Sequence, residues 1–434
     1  MTSDSTLYVY AAALASVWFG YSALRMRWER SSKIIRKAAL EAGLSEPASL
    51  HPQIDPAKCL GCTACLRVCP EGDILGLING RAELIEPANC IGHGACKTAC
   101  PQGAITLVFG TATRGVDIPL VAPDFQTNVK GLYIAGELGG MGLIRNAIEQ
   151  GRQAVNEIAK LGGLRQPNML DLVIVGSGPA GFAASLAATE KGLRFVTIEQ
   201  ETFGGTVAHF PRGKLVMTAP ATLPIVGKMN FKEVSKEELL DFWESAAKTA
   251  KLKVQYGERV DSIAPNGGGF LVTTTKGTYS ARAVLLAIGR RGTPRRLEVP
   301  GEEQSKVVYR LIDAQQYRGK HVLVVGGGDS ALEAAASIAG EPGTTVTLSY
   351  RGDAFARAKA KNRQRFDQAV AAGRIKVLMA SKIERIGTSD VDVVWQKKPL
   401  RLPNDAVIVC AGGILPTAFL KSLGIEVETK HGTA

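Results

Sequence analysis

Cysteine spacing carries the clearest chemistry in this sequence. Seven of the eight cysteines in the 434 residues lie between positions 59 and 100. They form two runs, Cys59-x-x-Cys62-x-x-Cys65-x-x-x-Cys69-Pro70 and Cys90-x-x-His93-x-x-Cys96-x-x-x-Cys100-Pro101. Thiolates at this spacing bind iron–sulfur clusters, and in two-cluster sites the fourth cysteine of each run binds the other run's cluster. A disulfide framework is disfavoured, because such frameworks belong to short secreted chains.

The two runs resemble a bacterial dicluster ferredoxin over residues 51–109. By the crossover of the fourth cysteines, one [4Fe–4S] cluster takes Cys59, Cys62, Cys65 and Cys100. The second cluster takes Cys69, Cys90 and Cys96, and His93 stands where the ferredoxin pattern has its remaining cysteine. Three interpretations of His93 are open. It binds the fourth iron, or the centre is a [3Fe–4S] cluster that needs no fourth ligand, or it is a surface residue beside a damaged site.

A glycine-rich turn after an apolar strand indicates a second kind of chemistry. The strand 171–175 leads into Gly176-Ser177-Gly178-Pro179-Ala180-Gly181 and then into an alanine-rich segment. The glycines allow a tight turn and a close approach of pyrophosphate to a helix N-terminus. The strand 195–199 ends in Glu199, the acid that recognition of a ribose 2′-hydroxyl requires. Strand, turn, helix and acid together predict a dinucleotide site.

A similar unit follows further along the chain. The strand 321–325 precedes Gly326-Gly327-Gly328-Asp329-Ser330-Ala331. The strand 344–349 ends without an acid and is followed by Arg351. Because an arginine forms charge-assisted bonds with a 2′-phosphate, this pattern favours NADPH over NADH. Arg357, Lys359 and Lys361 follow, and the alternative of a solvated basic helix start explains Lys359 and Lys361 better than it explains Arg351.

Two fingerprints in this nested order resemble thioredoxin reductase and its relatives, including thiol-free ferredoxin–NADP reductases, over residues 111–430. The resemblance implies FAD at the first fingerprint, a pyridine nucleotide at the second, and a homodimer. Other residues that it implies for FAD are Gly205, Thr206, Ala287 and Gly289. His209 is expected near the isoalloxazine, either hydrogen-bonded to it or as a polar rim residue. The redox dithiol of thioredoxin reductases is missing, since residues 307–317 contain no cysteine, and thiol–disulfide exchange at the flavin is therefore not expected.

A further departure concerns chain order. The short strand 131–135, then Gly136 and Glu137, and a helix from about 143 to 161 resemble the segment that closes the FAD domain in that family. There it lies at the C-terminus and carries Asp in place of Glu137. Here the chain ends 21 residues after Gly413, too early for a second copy of that segment. The sequence thus predicts a circular permutation, which neighbouring domain termini permit.

The N-terminal stretch from Leu7 to Leu24 has eighteen residues without a charge, about 27 Å as a helix. It predicts a single-pass transmembrane anchor over residues 6–24. The Arg and Lys residues that follow place the catalytic domains in the cytoplasm, at the inner membrane. A cleaved signal peptide is the alternative, although it would need positive charge before the apolar run. Residues 25–50 read as a basic linker helix that either lies on the membrane surface or only connects domains.

These features predict an α/β protein with two Rossmann-like dinucleotide-binding domains, a small α+β ferredoxin-like domain and an N-terminal transmembrane helix. After the anchor and linker, the predicted boundaries are 51–109 for the dicluster domain, 111–163 for the permuted segment, 169–305 for the FAD domain, 306–410 for the NAD(P) domain and 411–434 for the return to the FAD domain. The net charge of +12 fits an anionic lipid surface, an acidic redox partner or a solvated basic face. No basic run interleaved with aromatic residues indicates nucleic acid.

The sequence therefore predicts a membrane-anchored NAD(P)H oxidoreductase. Hydride from NADPH reduces FAD, and single electrons pass through the two clusters to or from a quinone, a cytochrome or a ferredoxin. Two alternatives stay open: a flavin reductase of an organic substrate or disulfide fed by the clusters, and a non-enzymatic redox sensor. The eighth cysteine, Cys410, lies in an apolar strand and is expected to be buried and structural.

Overall fold

The computed structural model describes residues 3–41, 46–47, 50–90, 92–112, 114–140, 142–161, 168–218, 220–231, 233–355 and 360–433. The chain forms two compact units. The first comprises residues 1–113, 354–360 and 432–434, and the second comprises residues 114–353 and 361–431. Arg357 and Lys359, two of the basic residues considered above, lie outside the described residues.

The first unit combines one long helix with two short antiparallel ladders. Its elements are α1 (Ser3–Glu41), β1 (His51–Ile54), α2 (Ala64–Arg67), β2 (Leu75–Ile78), β3 (Arg81–Leu84), α3 (Ala95–Thr98) and β4 (Ile105–Val108). Strand β1 pairs with β4, and β2 pairs with β3 in a hairpin. The small core between the ladders includes Leu75, Ala82 and Ile105 together with the buried cysteines Cys65 and Cys96. Burial of Cys65 and Cys96 in this core places one thiol of each run inside the unit.

The C-terminal half of α1 is bound to the β2–β3 hairpin by polar contacts. The Leu77 N–H donates to Ser32 Oγ (3.0 Å), and the Asn79 N–H donates to Glu29 Oε1 (3.1 Å). Arg25 donates to the Gly80 carbonyl oxygen at 3.1 Å. The helical part of the predicted 25–50 linker is thus attached to the ferredoxin-like region, and it continues without a break from the stretch before it.

The prediction of a transmembrane anchor over residues 6–24, and with it a single-pass inner-membrane location, is wrong. Among the residues that the structure describes, no helix is both long enough and apolar enough to cross a membrane. The reason is that absence of charge is not the same as apolarity. Tyr8, Tyr10, Ser16 and Tyr21 carry polar groups, and many of the remaining residues are alanines. Transfer into a bilayer is driven mainly by Leu, Ile, Phe and Val, and these account for only six of the eighteen residues from 7 to 24.

The second unit contains a seven-stranded sheet, on which α4 and α5 pack. The elements of this part are β5 (Val116–Pro119), β6 (Leu132–Ile134), α4 (Ile144–Ala159), β7 (Leu170–Val175), α5 (Pro179–Glu190), β8 (Phe195–Glu199), β9 (Leu215–Met217), β10 (Ala221–Leu223), β11 (Gly227–Met229), β12 (Glu233–Ser235), α6 (Lys236–Thr249), β13 (Val254–Tyr256), β14 (Val260–Asn266), β15 (Gly269–Thr274) and β16 (Thr278–Leu286). The strand order is β13-β8-β7-β16-β15-β14, and β6 pairs with the end of β16. β7 and the end of β16 are buried on both faces, as a parallel sheet covered on both sides requires.

A second sheet of the same unit is built from the following part of the chain. This part of the chain contains β17 (Thr293–Pro294), β18 (Val307–Val308), β19 (His321–Val325), α7 (Asp329–Ile338), β20 (Thr345–Ser349), α8 (Ala360–Ala371), β21 (Ile375–Leu378), β22 (Ser381–Ile386), β23 (Asp390–Trp395), β24 (Lys398–Pro403), β25 (Ala406–Val409), β26 (Gly413–Ile414), α9 (Thr417–Ser422) and β27 (Val427–Lys430). Five parallel strands have the order β18-β25-β19-β20-β21, and β22, β23 and β24 form a separate antiparallel sheet. This α/β arrangement has the two Rossmann-type sheets that the fingerprints predict.

The end of the chain packs into the core beside the first sheet of the second unit. Strand β27 pairs with β5 in antiparallel register. Leu420 and Ile425 belong to the same buried cluster as Leu132, Val173 and Leu286. The segments before β7 and after β25 therefore share one core with the strands that carry the first glycine-rich turn.

Candidate cofactor-binding sites

Four predicted ligands of the first cluster line one pocket. This pocket is lined by Cys59, Cys62, Cys65 and Cys100, of which Cys62 is exposed to solvent. The Ala82 N–H donates to Cys59 Sγ (3.4 Å), and the Ala104 N–H donates to Cys100 Sγ (3.3 Å). Burial, together with the neighbouring thiols, raises the pKa of Cys65 to about 11. Deprotonated cysteines in this environment need a cationic centre to balance their negative charge, and the iron ions of an iron–sulfur cluster supply it.

The predicted ligands of the second cluster line another pocket of the same unit. This pocket is lined by Cys69, Cys90, His93 and Cys96, and Glu71 also lines it. The Nε2 atom of His93 lies 3.7 Å from Glu71 Oε1. Burial raises the pKa of Cys90 to about 11 and lowers the pKa of His93, which keeps the imidazole neutral and able to act as a ligand.

Backbone conformation explains how such short runs surround a pocket. Thr63 and Gly94 adopt left-handed conformations immediately before α2 and α3, and Gly61 and Gly92 also have positive φ. A Cβ on Gly92 would lie 2.7 Å from the Leu50 carbonyl oxygen, so only glycine fits there without a shift. The donor set of soft thiolates with one imidazole fits iron–sulfur clusters. Within the described residues, no three His, Cys, Asp or Glu side chains are placed to hold a single metal ion.

The first glycine-rich turn connects β7 to α5. Gly176 has a φ of 101°, and a Cβ at this position would lie 2.6 Å from the Ala287 carbonyl oxygen. A Cβ on Gly181 would lie 1.8 Å from the Gly176 carbonyl oxygen, so the helix approaches the turn without any side chain between them. The N–H of Ser177 donates to Glu199 Oε2 at 2.8 Å. The predicted ribose acid is therefore buried beside the turn, at the end of β8.

Other predicted FAD residues surround the same turn. A Cβ on Gly205 would lie 2.9 Å from the Gly178 Cα, and a Cβ on Gly136 would lie 2.9 Å from the Ala180 Cβ. Ala287 follows the end of β16 and is buried. The structure thus brings Gly136, Ala180, Gly205 and Ala287 to the carboxyl edge of one sheet, where α/β proteins bind nucleotides. The remaining members of the predicted set are Pro179, Thr206, Glu137 and Gly289, which lie on α5 or on the adjoining turns.

Sequence reasoning missed several residues of this region. The Gly136 N–H donates to Gln150 Oε1 on α4 (2.8 Å). A Cβ on Gly151 would lie only 2.0 Å from the Ala180 carbonyl oxygen, so α4 and α5 are almost in backbone contact. A glycine inside a helical pattern was the available signal for this close packing. Burial raises the pKa of Glu137, and the charges of Arg290 and Arg291 oppose that rise. In the sequence, the only indication of this interaction was the position of the two arginines directly after Gly289.

The second glycine-rich turn connects β19 to α7. Gly326 has a φ of 144°, and a Cβ there would lie 2.4 Å from the Cys410 carbonyl oxygen. The Tyr350 ring packs against Gly327, Gly328 immediately precedes α7, and Ser330 and Ala331 lie in its first turn. Asp329 Oδ1 accepts a hydrogen bond from Asn362 Nδ2 (2.8 Å). Arg351 is exposed and follows the end of β20, next to β19 in the sheet. The turn and the arginine therefore lie at the same edge.

Polar and ionic contacts connect the residues after β8 with the 307–317 segment and with α7. His209 Nε2 lies 2.8 Å from Glu201 Oε2, and the same carboxylate contacts Arg310 at 3.2 Å. Lys214 Nζ lies 2.6 Å from Glu333 Oε2 on α7. Burial and the nearby Arg310 lower the pKa of His209 despite Glu201. Cys410 is partly buried after β25, and desolvation raises its pKa to about 12, as expected for an unreactive thiol.

Comparison with known proteins identifies relatives for both units. Residues 173–433 match the pyridine nucleotide-disulphide oxidoreductase family, and residues 51–101 match the 4Fe-4S dicluster domain. A ferredoxin–NADP reductase from Ignicoccus hospitalis is 30% identical over 267 residues, which cover 61% of this chain and 84% of that protein. A ferredoxin–NADP reductase from Thermus thermophilus is 30% identical over 272 residues, or 59% of this chain and 77% of that protein.

A solved structure shares the fold of the second unit. The bacillithiol disulfide reductase Bdr (YpdA) from Staphylococcus aureus aligns with a TM-score of 0.52 and 25% sequence identity. The alignment covers 59% of this chain and 80% of that protein. The family match over residues 173–433 includes both glycine-rich turns, and the dicluster match over residues 51–101 includes the cysteines that line the two pockets.

Proposed function

Because the chain belongs to the pyridine nucleotide-disulphide oxidoreductase family, we propose that it passes electrons between NADPH, FAD and two iron–sulfur clusters. It is an FAD-dependent NAD(P)H oxidoreductase with an iron–sulfur domain. The observation that carries the proposal is the separation of eight predicted ligands into two pockets of four. A flavoprotein that used only NADPH and an organic substrate would have no need of two such pockets.

Different residues of the second unit bind the two nucleotides. The turn from Gly326 to Ala331 presents backbone N–H groups and the N-terminus of α7 to a pyrophosphate, and Arg351 supplies charge for a 2′-phosphate. The turn from Gly176 to Gly181 does the same for FAD, and Glu199 accepts hydrogen bonds from a ribose. FAD, when bound, exchanges both hydride and single electrons, which allows a two-electron donor to serve one-electron clusters.

The electron carrier that we propose as partner is of the ferredoxin type. The supporting comparison is with relatives that are named ferredoxin–NADP reductases. The segment 307–317, which contains β18 and a 3₁₀ turn, has no cysteine, and this disfavours disulfide reduction at the flavin. The direction of electron flow follows from cluster potentials, which span a wide range in proteins. The homodimer implied by the family resemblance stays a prediction, which sedimentation equilibrium of the holoprotein would test.

Circular permutation of the flavoprotein part belongs to the same proposal. Strand β6 pairs in parallel with the end of β16, and helix α4 packs against α5. Strand β5 pairs with β27, which places chain segments from both ends of the second unit side by side. These contacts support the interpretation of residues 111–163 as the closing segment of the FAD domain. Joining neighbouring termini in this way costs little free energy.

The test is an anaerobic titration of the purified holoprotein with NADPH, followed by optical and electron paramagnetic resonance spectra. Flavin bleaching followed by signals of reduced clusters is the expected result. A matched pair of variants tests whether electrons from NADPH enter the protein at the turn that begins with Gly326. Gly326→Ala introduces a Cβ that would lie 2.4 Å from a carbonyl oxygen, whereas a Cβ on Gly277 meets nothing within 4 Å.

With Gly326→Ala, NADPH should reduce neither FAD nor the clusters, while dithionite should still reduce both. Gly277→Ala should behave as the unaltered protein. If NADPH fails to reduce the unaltered protein although FAD and clusters are present, electrons enter elsewhere and the proposed order of transfer is wrong.

A further inference from the structure

The two cysteine runs are related by an internal repeat with a constant offset. His93 lies 31 positions after Cys62 (93 − 62), and Gln102 lies 31 positions after Glu71 (102 − 71). The same offset relates the other ligands, Cys59 with Cys90, Cys65 with Cys96, and Cys69 with Cys100. Every cluster ligand thus has a counterpart in the other pocket, so that the pockets can be compared position by position.

The comparison shows two coupled differences. The first pocket is lined by Cys62 and Gln102. At the matching positions the second pocket has His93 and Glu71. In the second pocket these two side chains are neighbours, since 3.7 Å separates His93 Nε2 from Glu71 Oε1. The second pocket, which has His93 in place of a cysteine, therefore also has the Glu71 carboxylate beside that histidine.

The two differences cancel in charge. A cysteine thiolate with a neutral amide carries one negative charge, and a neutral imidazole with a carboxylate carries one as well. About a quarter of each side chain is exposed, 25% for His93 and 24% for Glu71. Charges that are largely removed from water interact strongly with a nearby centre, so a missing thiolate would change the cluster's electrostatic environment unless another anion replaced it.

We propose that His93 and Glu71 together form the fourth ligand position of the second cluster. The imidazole of His93 binds the fourth iron, and the Glu71 carboxylate supplies the negative charge that a thiolate would carry in its place. Glu71 thereby sets the reduction potential of a four-iron centre. This inference rests on the proposed function, because it requires that the second pocket holds a cluster.

The test is an anaerobic redox titration of the holoprotein, monitored by electron paramagnetic resonance, which resolves each cluster. Glu71→Gln removes one negative charge at almost constant shape and should raise the potential of the second cluster only. The expected shift corresponds to at least a tenfold change in the ratio of oxidised to reduced centre, which is 59 mV for a one-electron couple. The matched control, Gln102→Glu, makes the reverse change and should lower the potential of the first cluster only.

A double variant distinguishes charge compensation from a general effect of a nearby charge. His93→Cys alone should lower the potential of the second cluster, since it adds a thiolate while Glu71 remains. The combination His93→Cys with Glu71→Gln recreates the residues of the first pocket and should bring the potential back toward that of the unaltered protein. FAD content and the first cluster's signal serve as checks that the variants fold.

The outcomes separate this inference from the proposed function. A second four-iron cluster whose potential does not move in Glu71→Gln would overturn the role of Glu71 alone. A three-iron signal in the unaltered, anaerobically prepared protein would overturn the ligand role of His93 while leaving two clusters in place. Absence of any second cluster would overturn this inference together with the dicluster part of the proposed function.

Discussion

Replacement of Gly151 by alanine provides a direct test of whether residues 111–163 belong to the FAD-binding domain. In the structure a Cβ on Gly151 would lie 2.0 Å from the Ala180 carbonyl oxygen, inside the first glycine-rich turn region. An ordinary contact begins at 3.4 Å, so α4 would have to move about 1.4 Å (3.4 − 2.0) away from α5. The atoms that this Cβ would meet are backbone atoms of Ala180 on α5, which cannot rotate aside as the end of a side chain would.

The expected effect follows from two opposing contributions. Overpacking of a well-packed interface costs about 1–3 kcal/mol. The gain in helix propensity from glycine to alanine is about 1 kcal/mol at most. Because α4 also holds Gly136 through Gln150, a displaced helix should disturb the turn as well as the interface. We therefore expect Gly151→Ala to lower FAD occupancy and to lower the unfolding temperature of the second unit by a few degrees.

The assay measures the ratio of FAD to protein after purification and the temperature at which flavin fluorescence appears on heating. Gly20→Ala is the matched control, since Gly20 also lies within a helix but a Cβ there meets nothing within 4 Å. This control should keep full FAD occupancy. If Gly151→Ala binds FAD as well as the control and releases it at the same temperature, the close α4–α5 contact does not support the cofactor site and the reasoning is wrong.

Three further predictions concern single side chains. Arg351→Ala should weaken NADPH binding by about 10- to 100-fold and leave NADH binding nearly unchanged, because a hydrogen bond to a charged group contributes about 1.5–3 kcal/mol. Binding titrations with the two nucleotides measure this difference. Equal losses for NADPH and NADH would contradict the assignment of Arg351 to the 2′-phosphate. Cys62→Ser should disturb the first cluster and leave the second intact in electron paramagnetic resonance spectra, and loss of both signals would argue against separate ligand sets. Glu199→Gln should reduce the affinity for FAD, because it replaces a carboxylate that accepts a hydrogen bond from the Ser177 N–H at 2.8 Å. Fluorescence titration of the apoprotein with FAD measures this affinity. An unchanged affinity would show that Glu199 is not part of the FAD site.

Local signals predicted the parts of the protein whose chemistry is encoded within a few residues. The spacing of the cysteines, and the strand–turn–helix pattern around Gly176 and Gly326, led to a dicluster ferredoxin combined with a thioredoxin reductase-like flavoprotein, which the comparisons confirm. Such motifs are readable because the ligand or turn geometry depends on nearby backbone. The transmembrane prediction was wrong for a related reason. It counted charges in one stretch and gave too little weight to its alanines, tyrosines and serines.

Contacts between distant segments could not be read in the same way. Nothing in the local sequence distinguishes Glu71 from the other acids, and only the tertiary structure places its Oε1 atom 3.7 Å from His93 Nε2 in the second pocket. Gly151 had a weak signal, a glycine within a helix, but its neighbour Ala180 lies in another helix. The ion pair of Lys214 with Glu333 joins residues 119 positions apart, which no local pattern predicts.

By itself, the sequence determined which cofactors this chain is equipped to bind, because thiol spacing and glycine turns are properties of short segments with fixed local geometry. Tertiary structure decided that Glu71 lies beside His93 in the second pocket, that α4 lies against the first glycine-rich turn, and that the β2–β3 hairpin binds the C-terminal half of α1. These outcomes depend on packing and hydrogen bonds between segments far apart in the chain. Their free energies arise only when the whole fold brings the partners together.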